Sequence, residues 1–136
     1  MITLISSFKK IQSETLIIEI LDDAAILFYR SLSLPANIID TIEKNLFLKK
    51  NAEKTMTFYG DFFGAKKLIA FFPKKETLTD DRSEALRSVP KSTLFIPSCD
   101  FREAYEVFTL ATYVYEVFLT EKKDADYECY IPESEK

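Results

Sequence analysis

Residues Thr15 to Leu21 (TLIIEIL) form a run of β-branched and apolar residues carrying a single charge, Glu19. Such a run reads as a largely buried strand. A buried strand cannot stand alone, so the rest of the chain has to supply its neighbours and its cover. Ile2 to Ile5 is a short strand candidate ahead of it. Asp22 and Asp23 close it, and Ala24 to Tyr29 is a second apolar run that fits either a strand or a helix. Pro35 then opens a helical segment in which Ile38, Ile39, Ile42 and Leu46 share one face. Lys49 to Lys54 is a polar turn. Thr55 to Tyr59 and Lys66 to Phe72 read as a strand pair around a turn at Gly60-Asp61.

After Pro73, Thr77 or Thr79 caps a helix reaching about Val89, and Asp80 and Asp81 suit its positive end. Pro90 stops it. Ser92 to Ile96 is a further strand, ended by Pro97. Arg102 to Leu119 is the strongest helical segment, with Ala104, Val107, Phe108, Ala111, Val114 or Tyr115, and Phe118 in one apolar stripe. Leu110, Tyr113 and Val117 lie outside that stripe. They need a second cover, which makes them the candidate interface residues. The tail from Glu121 is charged, with one short extended stretch, Tyr127 to Ile131. Strands alternating with helices specify an α/β sandwich. The 136 residues, 47% of them hydrophobic, suffice for one domain spanning 1–136.

Composition removes several kinds of chemistry. There is no histidine, which excludes Ser-His-Asp and Cys-His nucleophile systems and imidazole zinc sites. A net charge of −4 opposes a general nucleic-acid or anionic-membrane surface. The lysine pairs at 9–10, 49–50, 66–67, 74–75 and 122–123 are spread evenly and read as solvated element ends. No signal peptide or membrane span is visible, which points to a cytoplasmic protein. Cys99 and Cys129 could form one disulfide, but two reduced thiols are the plainer reading.

The remaining acidic groups have plain structural readings. Asp22-Asp23 sits at a strand end, where carboxylates can hold magnesium or act as a base, but no third acidic group accompanies them. Asp80-Asp81 is explained by the helix dipole. Asp124, Asp126 and Glu128 have the spacing of a loose calcium loop without its glycine or terminal glutamate, and read as a solvated tail. Gly60 and Gly64 lack the Lys-Ser/Thr of a phosphate-binding loop.

The stretch KKLIAFFPKKETLTDDRSEALRSV, followed by KSTLFIP and FREAYEVFTLATYVYEVFLTEKK, resembles the N-terminal domain of the leucyl aminopeptidase (cytosol aminopeptidase) family. That family shows a lysine-led strand, a lysine-rich turn, a leucine-threonine cap, and a long helix ending in aromatics and lysine, as Tyr113, Tyr115, Phe118, Lys122 and Lys123 do here. The family's glycines are mostly missing, with Phe72-Pro73 where Gly-Leu-Gly is common. The resemblance implies a three-layer macro-domain-like sandwich, a mixed sheet flanked by helices. It implies a parent metallopeptidase that removes N-terminal amino acids from peptides with two divalent metal ions, zinc or manganese, held in a C-terminal catalytic domain. Residues 120–136 would begin the connection to that domain. No catalytic, cofactor-binding or metal-binding residue maps onto this chain. The implied role is assembly or regulation, with the catalytic domain and neighbouring subunits of a homo-oligomer, such as a hexamer, as partners.

Two other readings stand beside it. One is a stand-alone macro-like module that binds ADP-ribose, with Asp22 toward the adenine, though two glycines make a poor diphosphate cradle. The other is a small α/β adaptor protein.

Overall fold

A computed structural model of the chain describes residues 2–9, 11–48, 53–118 and 126–135, with the backbone alone over 113–118. The strands are β1 (Ile2–Ile5), β2 (Thr15–Glu19), β3 (Thr55–Phe62), β4 (Ala65–Phe71), β5 (Thr93–Ile96) and β6 (Tyr127–Tyr130). The helices are α1 (Asp23–Ser31), α2 (Ala36–Leu46), α3 (Leu78–Arg87) and α4 (Phe101–Phe118). The strands form one mixed sheet in the order β1-β6-β5-β2-β4-β3. Each neighbouring pair is parallel except β3–β4.

The apolar character of β2 follows from its place. Leu16 pairs with Leu94 of β5 on one side and Leu68 of β4 on the other, and all five residues of the strand are buried. Side chains alternate between the faces. Leu16 and Ile18 join Ile26 and Tyr29 of α1 and Ile39 and Ile42 of α2 in one core. Ile17 joins Leu86 of α3 and Ala104 and Phe108 of α4 in the other. Helices on both faces of a mostly parallel sheet make three layers.

The run that fits either a strand or a helix is helix α1. A parallel neighbour for β2 needs a crossover, and Ala25, Ile26 and Tyr29 fall inward at helical spacing while Leu27 is 70% exposed. Asp22 caps this helix, its Oδ1 accepting from the Ala25 N–H at 3.2 Å.

Two expectations are corrected. The turn of the strand pair is not at Gly60-Asp61. There β3 carries a bulge, and the reversal is made by Phe63 and Gly64, at φ 59° and 103°, the positive values that tight hairpins require. The bulge keeps Phe62 inward, and a Cβ on Gly60 would lie 3.2 Å from its ring. The second concerns Glu128, which is not a solvated tail residue: the extended stretch expected over Tyr127 to Ile131 is strand β6, paired with both β1 and β5. Tyr127 and Cys129 enter the α3/α4 core. Glu128 is buried on the other face, where its Oε1 accepts from the N–H groups of Gln12 and Ser13, both at 3.0 Å, and from the Ser13 hydroxyl at 2.6 Å. Among the described residues, no helix is long and apolar enough to cross a membrane.

Candidate functional site

Strands β2 and β5 lie side by side and parallel, yet α1 leaves β2 onto one face of the sheet and α4 leaves β5 onto the other. Where adjacent crossovers diverge in this way, a crevice opens at the carboxyl ends of the strands. Open α/β sheets bind their ligands there. Its lips are the β2–α1 turn, with exposed Asp22, and the β5–α4 turn, Pro97 to Asp100. Asp100 takes φ 46°, and its carbonyl accepts from the Ala104 N–H at 2.9 Å, starting α4.

Beneath the ends of these two strands lies a buried polar network. The Tyr29 hydroxyl stands where β2 and β5 part, 3.0 Å from the carbonyl oxygens of both Glu19 and Ile96, and accepts from the Glu19 N–H at 3.1 Å. Glu19 points to the opposite face. Its Oε2 accepts from Arg82 Nε at 2.6 Å, and its Oε1 from Arg82 Nη2 at 2.8 Å, the Ser98 N–H at 3.0 Å and the Ser98 hydroxyl at 2.6 Å. Arg82 Nη2 also donates to the Cys99 carbonyl at 2.5 Å, and Nη1 has no hydrogen-bond partner among the described residues. The network ties together the ends of β2 and β5 and the middle of α3.

The electrostatics hold these groups in their resting forms. Burial, with the Glu19 charge, pushes the Tyr29 phenol well above its ordinary value. Burial pulls Arg82 down, but the hydrogen bond and charge of Glu19 outweigh it and leave the guanidinium raised. Burial and the Glu19 charge raise the Cys99 thiol against the opposing pull of Arg82. Cys99 is therefore a thiol at neutral pH, not an activated nucleophile.

Beside the crevice, between the starts of α3 and α4, is a hollow of about 230 Å³ lined by Lys75, Glu76, Asp80, Asp100 and Glu103 among others. Four carboxylates against one lysine disfavour an anion there. Across it the Thr79 hydroxyl bonds the Glu103 carboxylate.

The residues singled out by sequence fall apart in space. Asp22 lies at the crevice, while Gly60 and Gly64 lie on the β3–β4 hairpin, at the opposite end of the sheet. Asp80 and Asp81 stand in the first turn of α3, and Asp81 Oδ2 accepts from the Lys74 N–H at 2.8 Å and the Thr77 hydroxyl at 2.9 Å. Among the described residues, no group of three or more acidic or thiol side chains is arranged to hold a metal ion. Asp124 lies outside the described residues. Leu110 is 64% exposed on α4, and the side chains of Tyr113 and Val117 lie outside the described ones.

Sequence reasoning passed over Tyr29, Arg82 and Ser98. Part of the signal for Arg82 was present: one acid in an apolar strand needs a buried partner, either a cation or a set of hydrogen-bond donors. Arg82 also sits between the buried Leu78 and Leu86, four residues away on either side.

No family model matches the chain, and no curated protein matches its sequence. Its structure is similar to a solved coronavirus structure, the X-domain of IBV, a macro domain. The TM-score is 0.56 at 9% identity, over 96% of this chain and 89% of that one. The fold is that of a macro domain. This overturns the leucyl aminopeptidase reading and the metallopeptidase function drawn from it. The pattern behind that resemblance is a strand, a basic turn, a capped helix, a strand and a long helix. A macro-type sheet imposes this order through burial alone, so the pattern carries fold and not peptidase chemistry.

Proposed function

We propose that this chain is a macro-type binding module that takes ADP-ribose at the crevice between the carboxyl ends of β2 and β5. The divergence of α1 and α4 from adjacent parallel strands supports this reading. Asp22, exposed at the lip, is placed to accept from an adenine amine. The first amides of α4 have no intrahelical acceptor and face the same crevice, where phosphate oxygens are stabilised.

The residues also set the affinity. No glycine lines the crevice, so backbone cannot approach a diphosphate closely, and the carboxylates between α3 and α4 repel it. Binding is therefore weak, with a Kd of roughly 0.1–1 mM, or about −4 to −5.5 kcal/mol. An NMR titration with ADP-ribose to about 5 mM tests this. Saturable shifts at residues 20–22 and 97–101 are expected, weakened severalfold in Asp22→Ser, which keeps a capping hydroxyl for α1. Shifts absent from both turns across that range rule the reading out.

A further inference from the structure

The pairing of β2 with β5 stops at a defined rung, and two side chains stop it. In a parallel ladder the bonds are evenly spaced, and every second residue turns its N–H and C=O to the same neighbour. The Thr15 N–H donates to the Ser92 carbonyl at 3.2 Å, so Thr15, Ile17 and Glu19 turn to β5. The register runs from Thr15 opposite Thr93 to Ile18 opposite Ile96. The rung after it would join the Ser98 N–H to the Glu19 carbonyl. Side chains take both of these groups. The Ser98 N–H donates to Glu19 Oε1 at 3.0 Å, and the Glu19 carbonyl accepts from the Tyr29 hydroxyl at 3.0 Å. Strand β2 meanwhile stays with β4, where the Ile20 N–H donates to the Phe71 carbonyl at 3.0 Å.

We propose that Tyr29 is a positioning residue of the crevice: its hydroxyl withholds the Glu19 carbonyl from Ser98 and so keeps the two lips apart. This rests on the crevice being the ligand site. A rung from Ser98 to Glu19 would draw the β5–α4 turn onto the end of β2, toward Asp22. The hydroxyl is held from both strands, since it lies 3.0 Å from the Ile96 carbonyl as well. Tyr29 is fully buried, and a buried hydroxyl is costly unless it is hydrogen-bonded. The packing of α1 needs only the ring, while the oxygen serves the strands. Burial raises the phenol well above its ordinary value, so it keeps its proton across the neutral range. On the opposite face Arg82 fixes the Glu19 carboxylate with two bonds. That carboxylate leaves the Ser98 amide satisfied without the rung.

Long-range HNCO spectra of the isotope-labelled full chain read which carbonyl or carboxyl group each amide donates to. In the wild type the Ser98 amide should correlate with the side-chain carboxyl carbon of Glu19. In Tyr29→Phe it should correlate with the backbone carbonyl carbon of Glu19 instead. ADP-ribose should then shift residues 20–22 and 97–101 with severalfold weaker affinity in Tyr29→Phe. A wild-type Ser98 amide already on the Glu19 backbone carbonyl overturns the proposal, whether or not the variant folds. So does a folded Tyr29→Phe that keeps the wild-type correlation, or one that moves it and binds as the wild type does. If neither protein binds ADP-ribose, the ligand reading fails, and the correlations alone decide whether Tyr29 holds the ladder open.

Discussion

Arg82 and Glu19 form a bidentate ion pair in which both side chains are fully buried, with Nε–Oε2 at 2.6 Å and Nη2–Oε1 at 2.8 Å. Removing one partner of such a pair leaves a charge in a low-dielectric interior, at a cost of about 3–5 kcal/mol. Arg82→Met should lose stability on this scale. Replacing both, as Glu19→Leu with Arg82→Met, should recover most of it, since an apolar pair of similar volume has no charge to desolvate. Urea melts of the single and double variants check this. A double variant as weak as Arg82→Met would mean that the Ser98 and Cys99 contacts, not charge pairing, hold this end of the sheet together.

On the same side of the sheet, Phe108 is fully buried between Phe95 and Tyr127, with both ring centroids 5.5 Å away and edge-on. Phe108→Ala should cost about 3–5 kcal/mol, through lost transfer energy and the cavity left behind. Leu110, two residues on, is 64% exposed, and Leu110→Ser should change stability by less than about 0.5 kcal/mol. Thermal melts of the two variants at one low concentration compare them. Equal losses would place Leu110 in the core and contradict the orientation of α4.

The layers were legible because they follow from periodicity. The β-branched and apolar Thr15–Leu21 run announced a largely buried strand, and the spacing of Ile38, Ile39 and Ile42 and of Ala104 and Phe108 announced helices on a core. What stayed hidden depends on contacts remote in sequence. Nothing local shows that Tyr127 to Tyr130, at the end of a charged tail, inserts between β1 and β5, because a four-residue strand is recognised by the neighbours it finds. Glu128 looked like a solvated acid, since its partners, the amides of Gln12 and Ser13, lie more than a hundred positions away. The candidate site fared similarly. Asp22 could be placed at a strand end, but the crevice exists only because α1 and α4 take opposite faces, and that is a property of topology.

Alkaline pH offers a reading of the second core. Burial pushes the Cys129 thiol up to about 12, with Arg82 pulling it down less strongly and Glu19 adding to the rise. In the unfolded chain the same thiol ionises near about 8.5. Between those values the folded state holds a proton that the unfolded state has lost, so stability falls as pH rises. The contribution is complete below the unfolded value and disappears on the way to the folded one. By about pH 10 it amounts to a loss of about 2 kcal/mol relative to pH 7, at 1.36 kcal/mol per unit. The Tyr29 phenol, raised well above 10 by burial and the Glu19 charge, adds to the loss at the upper end of the range. Urea melts at about pH 7, 8, 9 and 10 should show the wild type weakening in this window. Cys129→Ala should weaken distinctly less with pH, whatever its starting stability. Parallel pH profiles for the two proteins would show that Cys129 does not hold its proton in the folded state, and that β6 is more open to water than its position between β1 and β5 allows.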